Sequence, residues 1–156
     1  MRELLIAWTG RARAGPWETL CADYRERIAR FVPVRDLPLR PAPGEGAERL
    51  AAEASGLQRA LPIPCRRVAL DRRGHALSSP ELADWLQRTR NEWPHAVAFL
   101  LGSDLGLADE VRREADLALS LGPLTLPHQL ARLVLYEQLY RSLSLAAGMK
   151  YHRAPL

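Results

Sequence analysis

Short apolar runs alternate along this chain with segments in which apolar residues recur every three or four positions. Residues 4–8 form such a run, ended by Thr9 and Gly10, which predicts a buried strand. Residues 18–31 carry apolar side chains on one helical face, which predicts a helix. Residues 34–39 alternate weakly between apolar and polar positions and are expected to form a second strand.

The middle of the chain continues this alternation. Residues 46–61 predict a second helix, and residues 68–70 predict a third, short strand. Ser79 is expected to cap the next helix, because Pro80 follows it at the favoured first helical position. Residues 96–101 are all apolar, which is typical of a central strand covered on both faces.

The last third predicts a short polar helix over residues 109–115, a strand over 117–119 and a long helix over 128–147. The apolar residues of the long helix cover more than one stripe. One side is therefore expected to pack on the sheet, and another to need a partner, which could be a second copy of the chain. Alternating strands and helices predict one α/β domain over residues 1–156 with a mainly parallel sheet.

The composition is that of an ordinary globular protein, with 47% hydrophobic and 26% charged residues in a chain of 156. No apolar run approaches the roughly 20 residues that span a bilayer, and the first residues are not typical of a secretion signal. We therefore expect a cytoplasmic protein. The formal charge is +4, and Lys150 is the only lysine. The arginine excess slightly favours phosphate-bearing partners such as RNA, although genome base composition also produces arginine-rich chains.

Metal chemistry is not indicated. Cys21 and Cys65 form no C-x-x-C pair, and the four histidines are scattered without metal-ligand spacing. We expect no metal site and two reduced cysteines.

Three predicted strands end in segments suited to ligand binding, because ligands of parallel α/β sheets bind beyond the strand ends. Residues 70–74 bring charge, and residues 101–106 bring two glycines that let backbone approach a ligand closely. Residues 121–127 are stiffened by two prolines and are apolar except for Thr125. No segment matches a P-loop or a Rossmann glycine pattern, so a flat, uncharged adenine suits them better than a pyrophosphate. A simple turn remains the alternative for each glycine segment.

The segment Tyr151, His152 and Arg153 follows the end of the long helix. An aromatic ring, an imidazole and a guanidinium in succession could grip a base and its phosphate, or the segment could be a frayed terminus. His128, directly after Pro127, is expected to cap the long helix rather than to take part in chemistry.

Residues 119–141, L-x-L-G-P-L-T-L-P-H-Q-L-A-R-L-V-L-Y-E-Q-L-Y-R, together with Y-H-R at 151–153, resemble the bacterial RlmH family. Members of this family are pseudouridine methyltransferases of large-subunit ribosomal RNA within the SPOUT superfamily. The resemblance extends over the whole chain. It includes L-L-I-A-W-T-G near the start, A-L-D at 69–71 and F-L-L-G at 99–102.

The resemblance implies a SPOUT α/β fold with a C-terminal trefoil knot, which is otherwise very rare, and a homodimer. It also implies S-adenosyl-L-methionine as the cofactor, bound in the knot, with the active site at the subunit interface. The implied cofactor-binding residues, transferred position by position, are Leu70, Gly102, Ser103, Gly106, Leu121, Gly122, Pro123, Leu124, Thr125, Leu126 and Pro127.

The implied reaction transfers a methyl group to N3 of a pseudouridine in 23S large-subunit ribosomal RNA and needs no metal. Tyr151, His152 and Arg153 would approach the partner subunit's pocket and meet the RNA there. Arg153 could stabilise negative charge on the base, and His152 could accept the N3 proton directly or through water.

The chain departs from the family in two segments. The family usually has Gly-Gly-x-x-Gly after the central strand, whereas Ser103 and Asp104 here add a side chain and a charge near the cofactor. Residues 40–46, usually lysine-bearing, carry little positive charge, so RNA binding could depend on other arginines: Arg66, Arg67, Arg72 and Arg73. Arg132 and Arg141 are further candidates, with ion pairs to Glu137 as an equal alternative.

Three functions are compatible with these observations. An active ribosomal RNA methyltransferase is favoured. The alternatives are a relative that binds RNA but has lost catalysis through the changes at Ser103 and Asp104, and a methyltransferase of another RNA.

Overall fold

Five strands and five helices alternate along the computed structural model, which describes residues 1–11, 13–149 and 151. The elements are β1 (Leu4–Thr9), α1 (Pro16–Ala29), β2 (Val34–Leu39), α2 (Gly46–Ala60), β3 (Cys65–Ala76), α3 (Ser79–Glu92), β4 (Ala96–Leu101), α4 (Asp109–Arg113), β5 (Leu117–Ser120) and α5 (His128–Ala146).

The strands form one sheet in the order β2-β1-β4-β3-β5, and each neighbouring pair is parallel. This confirms the predicted α/β class with a parallel sheet. Parallel strands place their carboxyl ends at one edge, so the loops after β3, β4 and β5 open side by side. That edge carries the candidate site.

Helices cover both faces of the sheet. Leu4, Ile6 and Trp8 of β1 pack in the same core cluster as buried residues of α1, α3 and α5. Leu5 and Ala7 point the other way and pack with residues of α2 and α4. Successive side chains of a strand point to opposite faces, so the uninterrupted apolar runs of β1 and β4 place both strands in the centre of the sheet.

β3 is much longer than the predicted strand over residues 68–70. It pairs with β4 as far as Ala69 and with β5 as far as Leu70; its register on β5 then shifts, and pairing resumes at His75. The prediction was wrong because the second half of β3 is polar and extends beyond its pairing with β4. Asp71 and Arg72 lie in the stretch 71–74, where the register shifts, and both line the candidate site.

α3 begins with a capping box that lies one residue earlier than predicted. Ser78 is the N-cap, its hydroxyl accepts from the Glu81 N–H, and the Glu81 carboxylate accepts from the Ser78 N–H at 2.7 Å. Ser79, the predicted cap, is the first helical residue and donates its hydroxyl to Gln138 on α5 at 2.6 Å. Ser79 therefore helps to set how α3 packs on α5.

α5 lies against α1 and α3. Leu135, Tyr136, Leu139 and Leu143 are buried there within one chain. These neighbours cover part of the apolar surface that led us to expect a partner, and the partly exposed remainder includes Leu145. The homodimer and the trefoil knot stay predictions. In the part of the chain that the structure describes, no helix combines the length and the apolarity needed to cross a membrane.

Candidate functional site

A cavity of about 440 Å³ opens at the carboxyl edge of the sheet, beyond β3, β4 and β5. Its walls come from residues 70–72, the loop after β4 and the segment that joins β5 to α5. The three segments singled out in the sequence thus meet at one place. The volume falls in the range of small-molecule sites, and the walls are mainly leucine side chains and backbone.

Most of the residues predicted to bind a cofactor line this cavity: Leu70, Gly102, Ser103, Gly106, Leu121, Gly122, Leu124, Thr125, Leu126 and Pro127. Pro123, which belongs to the same prediction, is not among the lining residues. The lining also includes residues outside this predicted cofactor set: Asp71, Arg72, Leu101, Asp104, Leu119, His128 and Ala131. Cofactor binding by this set remains a prediction.

We expected Gly102 to let the backbone approach a ligand closely, but the structure shows that the fold of the loop itself requires a glycine here. A Cβ on this residue would lie against the backbone carbonyl of Gly106, far inside the 3.0 Å limit that real Cβ atoms keep. The loop folds back tightly there, with the Gly106 N–H donating to the Ser103 carbonyl at 2.9 Å. Gly106 has φ +79, in the left-handed region. The two glycines therefore serve the shape of the loop itself.

Glu53 of α2 supports the loop over residues 102–106 through a hydrogen bond. Its side chain is only 3% exposed, and it accepts hydrogen bonds from the Ser103 hydroxyl at 2.6 Å, Arg49 Nε at 2.9 Å and the Ala42 N–H at 3.2 Å. A buried carboxylate needs such partners, since an unpaired charge is costly away from water. No local pattern indicated Glu53, because its partners are up to 50 residues away along the chain.

Arg49 also pairs with Asp104, at 2.5 Å between Nη2 and Oδ1. The hydrogen bond from Arg49 lowers the pKa of Asp104, which therefore stays ionised. Both residues that depart from the family's glycine pattern thus have partners on α2. The Ser103 hydroxyl and the Asp104 carboxylate are held by Glu53 and Arg49.

Replacing Ser103 by glycine, as the family pattern has it, is expected to weaken cofactor binding about three- to tenfold. The loop would lose its hydrogen bond to a buried carboxylate, a contact that contributes about 1.5–3 kcal/mol; only part of this is lost, because Arg49 and the Ala42 N–H still hold Glu53. Isothermal titration calorimetry with S-adenosylmethionine measures the change. Ser103→Ala is the matched control and should show the same loss. Tighter binding by Ser103→Gly would mean that the hydroxyl obstructs the cavity instead of supporting the loop.

Three of the four arginines suggested for RNA binding have partners within the chain. Arg73 pairs with Asp71 at 3.0 Å and with Asp109 at 3.1 Å. Arg67 lies 3.5 Å from a Glu114 carboxylate oxygen. Arg66 stacks over Trp93, with its guanidinium carbon 5.0 Å from the ring centre. Arg72 lines the cavity.

His128 lies between the first cavity and a second one, and it lines both. The expectation that it caps α5 is wrong, because Pro127 is the N-cap and the cap has no side-chain hydrogen bond. Its ring packs against that of Trp8, with 5.7 Å between the ring centres. Burial, followed by the positive charge of Arg132, lowers the pKa of His128, so the imidazole is neutral at pH 7.

The second cavity, of about 310 Å³, lies beyond the end of β1. It is more polar than the first and contains two tryptophans and three arginines among its lining residues: Trp8, Arg11, Arg13, Trp17, Glu18, Pro41, His128, Gln129 and Arg132. No feature of the sequence drew attention to this cavity.

Arg132 belongs to a buried ion cluster. It donates to Glu18 at 2.8 Å and to Asp36 at 2.7 Å, and its guanidinium lies 4.3 Å from the centre of the Trp8 ring. Of the two ion pairs suggested with Glu137, only that of Arg141 is present, at 2.5 Å. Arg132 is 5% exposed and paired with two carboxylates, so it is not placed to contact phosphate.

Tyr151 packs between α1 and α5. Its ring lies 4.6 Å from that of Tyr140, centre to centre, and its hydroxyl lies 3.4 Å from that of Tyr24. It does not line the first cavity of its own chain. His152 and Arg153 lie outside the described residues, so their predicted roles stay predictions.

Among the residues that the structure describes, no group of three or more His, Cys, Asp and Glu side chains could hold a metal ion.

Comparison with known proteins gives consistent matches over nearly the whole chain. A family model described as "Predicted SPOUT methyltransferase" matches residues 2–152. Ribosomal RNA large subunit methyltransferase H of Rhodospirillum centenum is 43% identical over 152 residues, covering 97% of this chain and 99% of that protein. Its namesake from Bradyrhizobium sp. (strain ORS 278) is 40% identical over 161 residues, covering 99% of both.

Solved structures share the fold at low sequence identity. A probable methyltransferase from Bordetella pertussis Tohama I superposes with a TM-score of 0.54 at 16% identity, covering 91% of this chain and 96% of that one. A probable methylase family protein from Haemophilus influenzae Rd KW20 has a TM-score of 0.52 at 12% identity, covering 99% and 71%. At such identities the likeness concerns the fold alone.

Proposed function

We propose that this chain methylates N3 of a pseudouridine in 23S ribosomal RNA, with S-adenosylmethionine as the methyl donor. The chain belongs to the SPOUT methyltransferase family and resembles its ribosomal RNA large subunit methyltransferase H members. The observation that carries the proposal is the cavity in which three loops meet beyond β3, β4 and β5. A chain of this family needs one site for a methyl donor, and this cavity has the size and lining for it.

The residues of the cavity fit an adenosyl group. Leu70, Leu119 and Leu121 provide apolar walls suited to a flat, uncharged purine. The backbone N–H groups of residues 124–126 donate to no other described residue, and they could serve the ring nitrogens of adenine. The shape of the loop over residues 102–106 leaves its backbone at the cavity wall. A leucine-lined pocket with free backbone donors suits adenine better than it suits phosphate.

S-adenosylmethionine would supply a methyl carbon on a sulfonium sulfur; the S–C bond breaks as the N–C bond forms, S-adenosylhomocysteine is left, and the N3 proton departs. The donor is already activated, so the protein's task is to align the two reactants and to help the proton leave. We assign the second task to the segment 151–153, with Arg153 stabilising charge on the base and His152 accepting the proton. Both residues would act on the partner subunit's pocket in a homodimer. Ribosomal RNA as the substrate would place the protein in the cytoplasm.

The test incubates purified protein and radiolabelled S-adenosylmethionine with large ribosomal subunits and, separately, with transfer RNA, both from a strain that lacks the protein. We expect label in the large-subunit RNA and, after digestion, in N3-methylpseudouridine. Label in transfer RNA alone would favour a methyltransferase of another RNA. Cofactor binding without label in any RNA, or no cofactor binding at all, would favour an RNA-binding relative without catalysis.

Arg153→Ala is expected to lower turnover about ten- to a hundredfold, the effect of losing one charge-assisted hydrogen bond to the reacting base. Analytical ultracentrifugation should show the same oligomeric state as the wild type. Arg30→Ala, which removes an exposed arginine just after α1, serves as the control for the loss of positive charge. Turnover equal to that of the control would show that the segment 151–153 is not part of the active site.

A further inference from the structure

The first cavity carries charged side chains on two of its walls, although most of its lining is apolar. Asp71 and Arg72 follow the paired part of β3 on one wall, and Asp104 lies in the loop after β4 on another. Because β3 and β4 are neighbours in the sheet, the two charged segments lie side by side at its carboxyl edge. The adenosine part of the methyl donor is uncharged, so these side chains bear on another part of the ligand.

On the β3 wall, four charged side chains neutralise one another and leave Arg72 over. Arg73 pairs with Asp71 at 3.0 Å and with Asp109 at 3.1 Å. Arg112 pairs with the same two carboxylates, at 3.8 Å and 3.1 Å, so two positive charges balance two negative ones. Arg72 is exposed and forms no ion pair with any residue that the structure describes. This wall therefore presents one unpaired positive charge to a ligand.

The wall after β4 carries the opposite charge. Arg49 is shared between two carboxylates, that of Glu53 at 2.9 Å and that of Asp104 at 2.5 Å. One positive charge cannot balance two negative ones, so this group keeps a net negative charge. Its accessible member is Asp104, whose side chain is 73% exposed, because the side chain of Glu53 is buried. A ligand in the cavity thus meets a guanidinium on one wall and a carboxylate on the next.

We propose that Arg72 and Asp104 bind the amino acid end of S-adenosylmethionine, with the Arg72 guanidinium donating to its α-carboxylate and the Asp104 carboxylate accepting from its α-ammonium group. The inference rests on the proposed function and deepens it by naming the residues that recognise the charged end of the methyl donor. A zwitterion needs one cation and one anion, and the two walls supply one of each. A guanidinium suits a carboxylate because it can donate two parallel hydrogen bonds. Asp104, which departs from the family's glycine pattern, then contributes to cofactor binding instead of hindering it.

A ligand without the amino acid end tests this inference. Isothermal titration calorimetry, without RNA, compares S-adenosylmethionine and S-adenosylhomocysteine with 5′-methylthioadenosine, which keeps the adenosine and the sulfur but lacks the amino acid. Arg72→Ala should weaken binding of the first two ligands about tenfold and leave that of 5′-methylthioadenosine unchanged. Arg72→Lys keeps the charge and should regain part of the affinity. Asp104→Asn should weaken the first two about threefold, a smaller effect because its carboxylate is exposed and shares Arg49.

Arg113→Ala and Glu110→Gln are the matched controls for the loss of one charge. Both residues are exposed on α4 and do not line the first cavity, so these variants should bind all three ligands as the wild type does. An equal loss of affinity for S-adenosylmethionine and 5′-methylthioadenosine in Arg72→Ala or Asp104→Asn would overturn the inference, because the residue would then support the cavity wall. Unchanged affinity for S-adenosylmethionine in either variant would overturn it as well. Wild-type protein that binds none of the three ligands would instead refute the proposed function.

Discussion

Arg132→Ala is expected to lower the free energy of unfolding by about 3 kcal/mol, within the range for removing one partner of a buried ion pair. Arg132 and Arg25 together face Glu18 and Asp36, so two positive charges balance two negative ones. Without Arg132, Arg25 alone would face the carboxylates of both Glu18 and Asp36, so the cluster would keep one uncompensated negative charge in a region of low exposure.

The cluster also joins elements that are distant in sequence. Asp36 belongs to β2, Glu18 and Arg25 to α1, and the Tyr136 hydroxyl on α5 donates to Asp36 at 2.8 Å. Burial, together with the nearby charge of Asp36, raises the pKa of Tyr136, which therefore remains a donor at any ordinary pH. Loss of Arg132 would weaken the contact of α5 with both α1 and the sheet.

Urea denaturation followed by circular dichroism measures the effect. Arg141→Ala is the matched control on the same helix, because its pair with Glu137 is more exposed and spans one helical turn, so about 0.5 kcal/mol is expected. Arg132→Met keeps most of the side-chain volume and should still lose most of the stability. A loss in Arg132→Ala no larger than in Arg141→Ala would show that the cluster does not stabilise the fold.

The order and class of the elements could be predicted from the sequence because each carries a local pattern. The apolar runs of β1 and β4 indicated buried strands, that of β4 a central one, and both are buried along their whole length. β3 was underestimated because its second half, residues 71–76, is mostly polar and gains its pairing from β5, which comes more than 40 residues later. Hydrophobic periodicity detects burial, and it does not detect a strand whose side chains face water.

The candidate site was predictable to the same extent. Loops with glycine or proline after three strands indicated a ligand-binding cavity, and these loops do meet at the first cavity. The supporting contacts of Glu53 and the position of His128 between two cavities could not be predicted, because both depend on residues brought together by the fold. The second cavity escaped notice for the same reason, since its tryptophans and arginines lie in three separate segments.

Gly102→Ala is expected to weaken binding of S-adenosylmethionine by at least about a hundredfold. The added Cβ would overlap the backbone of Gly106 and Leu107, and backbone cannot move aside as a flexible side chain would. The loop over residues 102–106 would have to open, pulling the Ser103 hydroxyl away from Glu53 and its backbone away from the cavity wall. A hundredfold change corresponds to about 2.7 kcal/mol, a strain well within what overpacking of a tight loop costs.

Gly56→Ala provides the matched control, since Gly56 lies within α2 and a Cβ there would meet only Leu39, at an ordinary 3.8 Å. An alanine inside a helix is favoured by about 0.5–1 kcal/mol over glycine, so this variant should be slightly more stable and should bind the cofactor normally. Calorimetry with S-adenosylmethionine compares the two variants, and thermal unfolding shows whether Gly102→Ala still folds. A folded Gly102→Ala protein that binds the cofactor like Gly56→Ala would contradict the assignment of this cavity to the methyl donor, because the loop that closes back on Gly106 forms one of its walls.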